Sequence, residues 1–210
     1  MLNKRILKDL INIGKDIDRC GLIIGEGGNI SAKSGRIIYI KKRAASMGKA
    51  GVNDYIPIDI KTGEPLREKD KPSTEIYMHL ACYRARKDIG AVIHTHPVYA
   101  TALGIANIDI KPLSYEMAVN LKSHIARLNY VRAGTPELGR AVGRAVKEHN
   151  AVLLKNHGVV TIGKNLQEAF LRTLAVERAA SGYICCRILG KVMFLKRSDY
   201  LKFFHQQDKV

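Results

Sequence analysis

The chain has 210 residues, of which 46% are hydrophobic and 26% are charged, with 18 glycines and 6 prolines. These values are typical of an ordinary globular protein and exclude a disordered, collagen-like or disulfide-framework chain. The longest apolar runs are far shorter than the roughly 20 residues that a transmembrane helix needs, so an integral membrane protein is excluded as well. The length fits one domain, and we expect a single domain over residues 1–210.

The amino terminus and the cysteines indicate the cellular compartment of the protein. The first nine residues mix charged and apolar side chains, which leaves no continuous apolar segment for a secretory signal. The cysteines lack C-x-x-C spacing, and we expect them to be reduced and buried in the core. They are Cys20, Cys82, Cys185 and Cys186. Together these features predict a cytoplasmic protein.

The charge balance indicates an affinity for anions. There are 35 Lys and Arg residues against 19 Asp and Glu residues, a formal net charge of +16. Such a protein attracts phosphorylated metabolites and polyanions, which makes a nucleic-acid-binding protein one hypothesis. However, the basic residues occur singly or in short runs, such as 41–43 and 196–197, without the interleaved aromatic residues of a stacking platform. Solvated surface charge is the favoured interpretation, and nucleic-acid binding is not expected.

In the first half of the chain, apolar residues spaced by three and four predict an amphipathic helix over residues 1–20. A glycine-rich turn over residues 25–31 follows, and then two segments of β-rich composition at 36–40 and 55–60. A second helix is predicted to begin near Ser73.

The second half continues with a predicted buried strand over residues 89–95. Thr135 is predicted to cap a third helix with proline at its first position. Two strands at 151–154 and 159–162 are joined by a tight polar turn, and a long helix follows over 166–189. Without a repeat or a linker, these elements predict an α/β fold of one domain, in which helices flank a central, mainly antiparallel β-sheet in three layers.

The sharpest chemical signal is a pair of histidines, His94 and His96, at the end of a predicted strand. Residues i and i+2 of a strand project to the same face, so both imidazoles can bind one metal ion. His157 lies in another strand-end turn, before Gly158, and three imidazoles with an open fourth position describe a catalytic zinc-like site. The alternative interpretation is that His94 and His96 are two polar residues at the solvent-exposed end of a strand. The remaining histidines are interpreted as surface or packing residues: His79, His124, His149 and His205.

A second signal precedes the predicted second helix. The hydroxyls of Ser73 and Thr74 are ordinarily helix caps, but at a helix N-terminus they also form a phosphate cradle. Glu75 is either a dipole-stabilising acid paired with His79 four residues on, or a general acid/base beside a metal. The residues themselves leave both interpretations open.

Four motifs now stand in order along the chain: a G-x-x-G-N-x-S turn at 25–31, a P-S-T-E segment at 72–75, an H-x-H pair at 94–96 and an N-H-G turn at 156–158. With this ordered set the chain resembles the class II aldolase/adducin-head family over roughly residues 5–190. The resemblance implies a central sheet flanked by helices, and a homotetramer with active sites at the subunit interfaces.

The resemblance also implies roles for individual residues. The three histidines His94, His96 and His157 would bind Zn²⁺ or another divalent metal. Glu75 would be the acid/base at the reacting carbon, and Tyr115 would handle the proton on the aldehyde oxygen. The residues expected to hold the substrate phosphate are Gly28, Asn29, Ser73 and Thr74.

The implied activity is a metal-dependent aldolase that reversibly cleaves a ketose 1-phosphate, such as L-fuculose 1-phosphate, to dihydroxyacetone phosphate and a small aldehyde. A methylthioribulose-1-phosphate dehydratase or a sugar-acid phosphate decarboxylase would use the same metal site. A pentulose-5-phosphate 4-epimerase is less favoured, because Pro97 follows the histidine pair where such relatives usually continue H-T-H-S. The non-enzymatic alternatives are an adducin-like interaction module and a basic nucleic-acid-binding protein.

Two regions depart from the family pattern. Glu26 places a carboxylate in the glycine-rich turn, where it would repel a phosphate dianion. The stretch Lys41–Lys49 is longer and more basic than the short threonine-glycine loop typical there, and its cations can compensate. A solvated surface loop is the alternative interpretation of that stretch.

The carboxyl-terminal segment, about residues 191–210, is predicted to be an aromatic tail with a short capped helix over 198–204. The resemblance implies that the region around Tyr200 closes the active site of a neighbouring subunit.

Overall fold

The computed structural model of the protein describes residues 3–67, 69–111, 113–122, 124–196 and 198–199. Within them lies one mixed β-sheet covered by helices on both faces. None of the helices described is long and apolar enough to cross a bilayer. Tyr200 and most of the predicted helix over 198–204 lie outside the described residues.

Seven strands make up the sheet in this part of the chain. They are β1 (Asn29–Ser34), β2 (Ile37–Lys41), β3 (Tyr55–Asp59), β4 (Ala91–Thr95), β5 (Ala126–Leu128), β6 (Ala151–Leu154) and β7 (Gly158–Gly163). Their order in the sheet is β3-β2-β1-β4-β7-β6-β5. The pair β5 and β6 is parallel and the other neighbouring pairs are antiparallel, which confirms the expected mainly antiparallel sheet.

Six α-helices accompany these strands in the described residues. They are α1 (Lys4–Arg19), α2 (Ile76–Ala85), α3 (Val98–Ile105), α4 (Tyr115–Leu121), α5 (Pro136–Ala145) and α6 (Leu166–Leu189). Helices α1, α3, α4 and α6 pack on one face of the sheet, whereas α2 and α5 pack on the other. This arrangement confirms the three-layer fold.

The central strand β4 shows why the sheet is buried on both sides. Val92 packs into the apolar cluster of α2 and α5, while the next residue, Ile93, packs into that of α1 and α6. Because helices cover both faces, all five residues of β4 are buried, and the strand has no polar alternation. Its histidine is therefore placed at full burial by the packing of apolar neighbours.

Helix ends with a clear capping residue lie where the sequence predicts them. The Thr135 hydroxyl accepts a hydrogen bond from the main-chain N–H of Leu138, at 3.3 Å, and proline follows at the first helical position. Helix α6 has the predicted bounds, and its first turn is capped by Asn165. The amphipathic pattern of residues 1–20 gives α1, capped by Asn3.

Two predicted boundaries are wrong. Helix α2 begins at Ile76 rather than near Ser73, because the Ser73 hydroxyl accepts a hydrogen bond from the Glu75 N–H and holds residues 73–75 in a turn. The predicted turn over 25–31 is too long, since its last three residues, from Asn29, already belong to β1. Helices α3 and α4 and strand β5 were not expected.

The prediction that the cysteines are core residues holds for Cys82 alone. Cys20, Cys185 and Cys186 are free and exposed. The last two lie beyond Ala180, where the part of α6 that packs on the sheet ends. The adjacent pair therefore reaches solvent although the helix that carries it is long and partly buried.

Candidate active site

The register of three strands gathers the predicted site residues at one end of the sheet. Asn29 at the start of β1 pairs with His94 on β4, and His94 pairs with Val160 on β7. The tight turn between β6 and β7 carries His157 and thus lies beside the end of β4. The sheet brings together residues that are far apart in the sequence.

The three predicted metal ligands converge. The imidazole centroids of His94, His96 and His157 lie 4.7–5.4 Å apart, and one ligand nitrogen from each falls within 4.8 Å of the others. The Nε2 atoms of His94 and His96 are separated by 3.0 Å. The i and i+2 positions therefore place both rings on one face, as their spacing predicts.

Hydrogen bonding prepares these imidazoles for a cation. The Nδ1 atom of His94 lies 3.0 Å from the main-chain oxygen of Val159, to which it donates, so Nε2 is the nitrogen that faces His96 and Glu75. Among the described residues, Glu75 Oε1 and His157 Nδ1 are buried without a hydrogen-bond partner. Three imidazoles and an unpartnered carboxylate oxygen are a donor set that suits a divalent metal.

Burial keeps the other two imidazoles in the ligating form. Loss of hydration, reinforced by the neighbouring His94, lowers the pKa of His96 to about 4 and that of His157 to about 4. At neutral pH both rings are therefore uncharged. An uncharged imidazole is the state that binds a metal ion.

Glu75 faces the imidazoles from the N-cap position of α2 and is only 8% exposed. Its Oε2 lies 3.2 Å from His94 Nε2, and its Oε1 lies 3.4 Å from His157 Nε2. Burial raises the pKa of this carboxyl, but the two imidazoles and a bonded amide outweigh burial and hold the pKa below its usual value. Glu75 contacts these imidazoles and the Asn29 amide rather than His79, and its acid/base role stays a prediction.

Two glycines allow the close packing around the rings. Gly28 has a φ of +65°, and a Cβ atom there would lie 2.6 Å from the main-chain oxygen of His94. A Cβ atom on Gly158 would lie 2.3 Å from the main-chain oxygen of Thr95 and 2.8 Å from His96 Cδ2. Larger residues at either position would displace the histidines.

A cavity of about 300 Å³ opens beside this cluster. The predicted residues in its wall are Gly28, Asn29, Ser73, Thr74, Glu75, His96 and His157. A larger depression of about 530 Å³ between α1 and the start of α6 contains none of them. The four residues expected to hold phosphate thus share one wall with the acid/base candidate.

Tyr115 is the predicted site residue that the structure does not bring to this cavity. It is the first residue of α4, its exposed fraction is 60%, and it is absent from the cavity wall. Its assigned role stays a prediction.

Lys41 is a cavity residue that sequence reasoning did not single out from its basic stretch. It is 3% exposed, and its ammonium group donates to the main-chain oxygens of Glu26, at 2.7 Å, and Ala45, at 2.5 Å. Burial lowers the pKa of Lys41, and the nearby carboxylates of Glu26 and Glu75 partly offset this effect. The sequence signal for its burial was its position directly after four apolar residues of β2. A lysine at the end of a buried strand can pack its apolar stem against the sheet.

The similarities of the chain to known proteins agree with this geometry. Residues 8–184 match the family model described as class II aldolase and adducin N-terminal domain. The chain belongs to this family.

Members of the class II aldolase family are also its relatives by sequence. An L-fuculose phosphate aldolase of Methanococcus maripaludis is 35% identical over 158 residues, which cover 75% of this chain and 84% of the relative. A 5-methylthioribulose-1-phosphate/5-deoxyribulose-1-phosphate aldolase of Escherichia coli is 32% identical over 182 residues, or 87% of this chain and 84% of the relative. A solved L-fuculose 1-phosphate aldolase superposes with a TM-score of 0.88 at 29% identity, covering 99% of this chain and 98% of that structure.

The buried imidazole of His79 predicts that acid lowers stability. Burial lowers its pKa to about 3, whereas the unfolded chain restores a value near 6.5. Between these values the unfolded state binds one more proton, so the free energy of unfolding decreases as the pH is lowered, by up to about 1.4 kcal/mol per pH unit. Above that window the group contributes no slope. The variant His79→Gln should show a slope shallower by up to this amount in urea titrations of metal-free protein.

The matched control is Thr173→Val, which removes a hydrogen bond of an equally buried residue that does not titrate, and which should therefore keep the wild-type slope. Equal slopes in the wild type and in His79→Gln would contradict a neutral, buried His79.

Proposed function

We propose that this protein is a metal-dependent aldolase, a carbon–carbon lyase that reversibly cleaves a ketose 1-phosphate to dihydroxyacetone phosphate and a small aldehyde. The observation that carries the proposal is the convergence of three imidazoles and one buried carboxylate beside a cavity, whose wall includes His96, His157 and Glu75. Relatives named as aldolases of fuculose, methylthioribulose and deoxyribulose phosphates support the reaction class. The sugar is L-fuculose 1-phosphate in the leading form of the proposal.

His94, His96 and His157 hold the divalent cation, for which zinc is the first candidate because three imidazoles with an open position suit it. When bound, the cation polarises the substrate carbonyl and stabilises the negative charge that develops as the bond between the third and fourth carbon atoms breaks. The intact ligand set distinguishes this chain from a non-catalytic interaction module.

Glu75 moves the proton at the third carbon of the substrate. Its Oε2 is held by the Asn29 amide at 2.7 Å, which leaves Oε1 as the oxygen without a hydrogen-bond partner among the described residues. In the condensation direction the ionised Oε1 removes the proton from this carbon, and in the cleavage direction it returns to the carbon the proton that the hydroxyl on the fourth carbon releases as the aldehyde forms. The fixed orientation lets the carboxyl act without searching for the carbon atom.

The phosphate of the substrate lies along the wall formed by Gly28, Asn29, Ser73 and Thr74. Lys41 compensates the carboxylate of Glu26, whose main-chain oxygen it already contacts, and adds a positive charge on the phosphate side of the cavity. A dianion in a partly buried cavity gains more from such a cation than it would in bulk water.

Tyr115 acts in the cavity of a neighbouring copy, within a homotetramer built from a single domain over residues 1–210. The support is its exposure, since a proton-handling tyrosine outside its own cavity wall needs another copy to reach a substrate.

The reaction class is tested by incubating zinc-loaded protein with L-fuculose 1-phosphate and following release of dihydroxyacetone phosphate in a coupled assay. Release should stop with a chelator and return with zinc. The variant His94→Ala should lose bound metal and more than about 100-fold of the activity together, because a ligand and its metal act as one unit. His124→Ala serves as the control.

Turnover retained in His94→Ala would contradict the metal role. Metal-loaded protein that is inactive on this sugar and on the 5-methylthioribulose and 5-deoxyribulose phosphates would contradict the aldolase reaction and favour the dehydratase, decarboxylase or epimerase. Strongly salt-dependent polyanion binding without metal would favour a nucleic-acid binder.

The phosphate assignment is tested by Lys41→Met, which removes the cation and keeps a long apolar stem. We expect KM for the sugar phosphate to rise roughly tenfold, as lost charge-assisted bonds of this kind require, with a smaller effect on kcat. Lys49→Met, at an exposed lysine of the same stretch, is the matched control. An unchanged KM in a folded Lys41→Met protein would contradict the phosphate role and mean that Lys41 only stabilises the loop.

The neighbouring-copy role of Tyr115 is tested by mixing two inactive variants, Glu75→Gln and Tyr115→Phe, during refolding. Sites that combine Glu75 of one copy with Tyr115 of another should restore about a quarter of the wild-type activity in a random equal mixture. Mixtures that stay inactive, although sedimentation shows mixed oligomers, would place Tyr115 outside the neighbour's site.

A further inference from the structure

A continuous chain of hydrogen bonds runs from Glu75 into the protein interior. Asn29 Nδ2 lies 2.7 Å from Glu75 Oε2, and Asn29 Oδ1 lies 2.5 Å from His79 Nε2. His79 Nδ1 lies 2.7 Å from Ser31 Oγ, which lies 2.9 Å from the Tyr83 hydroxyl. All five residues are buried, and His79 and Ser31 are completely so.

The chain forms because two periodicities match. Asn29 and Ser31 are two residues apart on β1 and therefore share a face, with a rise of about 6.7 Å. Glu75, His79 and Tyr83 follow one another at intervals of four residues, which gives one side of α2 and a rise of about 6 Å per interval. Each polar residue of the helix therefore meets a polar residue of the strand.

One arrangement of protons satisfies the whole chain. A carboxylate only accepts, so the Asn29 amide nitrogen must face Glu75 and its oxygen must face His79. His79 Nε2 must then carry the proton, and Nδ1 accepts from the Ser31 hydroxyl. The Tyr83 hydroxyl donates to the main-chain oxygen of Ser31 at 3.0 Å and ends the chain. Burial favours the neutral imidazole that this arrangement needs.

We propose that His79 is a positioning residue of the active site: its Nε2 proton holds the Asn29 amide in the orientation that donates to Glu75, and so fixes the carboxylate toward the imidazoles. Without that proton the buried Asn29 oxygen would lose its donor, and the amide would no longer be held from behind in the orientation that donates to Glu75. The inference rests on the proposed acid/base role of Glu75. It adds a requirement on a residue that touches neither substrate nor metal.

The test compares His79→Leu, which removes the donor, with His79→Gln, whose side-chain amide can still donate to Asn29. We expect kcat of His79→Leu to fall roughly 10–100-fold, with KM and metal content within twofold of the wild type, and His79→Gln to recover most of the loss. Thr173→Val is the matched control, since it removes an equally buried hydroxyl that bonds to Thr161 and Ala169 on the opposite face of the sheet. It should lower stability and leave kcat unchanged.

A second readout does not depend on turnover. The side-chain NH₂ protons of Asn29, observed by NMR in ¹⁵N-labelled full-length protein, should exchange slowly in the wild type and in His79→Gln and rapidly in His79→Leu. This readout separates the inference from the proposed function. A protein that is inactive on every sugar phosphate would contradict the aldolase proposal. Loss of Asn29 protection in His79→Leu would still support the positioning role.

Two results would overturn the inference. The first is an equal fall of kcat in His79→Leu and Thr173→Val, which would make His79 a structural residue only. The second is an Asn29 amide equally protected in both His79 variants. If His79→Leu fails to fold, His79→Phe decides in its place: it keeps an aromatic ring at this position without the donor, and kcat should fall severalfold with unchanged metal content, whereas wild-type kcat would overturn the inference.

Discussion

The antiparallel pairing of β4 with β1 on one side and β7 on the other is the constraint on which the site depends. In this register Asn29 lies opposite His94, and the turn that carries His157 lies beside the end of β4. Because successive side chains of a strand alternate between the two faces, a slip of one residue would turn the polar groups away from one another. Apolar packing on both faces fixes the register, and close contact at Gly28 leaves no room to shift it.

The site gathers groups that are costly to bury one at a time. A carboxylate, three imidazoles and an ammonium group lie within or beside one small cavity, and the carboxylate, His94 and the ammonium group each have a defined hydrogen-bond partner. Buried polar groups persist only where hydrogen bonds or opposite charges offset their lost hydration. Here the hydrogen bonds come from the sheet backbone and from the chain behind Glu75, and the proposed cation supplies the remaining charge. The same contacts therefore contribute to stability and to the proposed catalysis.

Sequence patterns predicted the elements whose ends carry their own signal. Thr135 marks the start of α5 through a side-chain cap, and the extent of α6 follows from its long periodic pattern. Helix α3 carries no such signal, because it is apolar on all sides between the sheet and α6, and a short apolar run does not distinguish helix from strand. The late start of α2 depends on a tertiary contact, in which the Ser73 N–H donates to the Lys41 carbonyl of β2.

The sequence by itself determined which residues are the candidates for the chemistry: the ordered motifs, the two histidines that share a face of a strand, and the acid that precedes a helix. Tertiary structure alone decided the partners, so that Glu75 faces the imidazoles instead of His79, and His79 bonds to Asn29, 50 positions away. The physical reason is that the periods of helix and strand fix which side chains share a face within one element. Partners across elements depend on strand order and register, which are set by the burial of apolar faces along the whole chain.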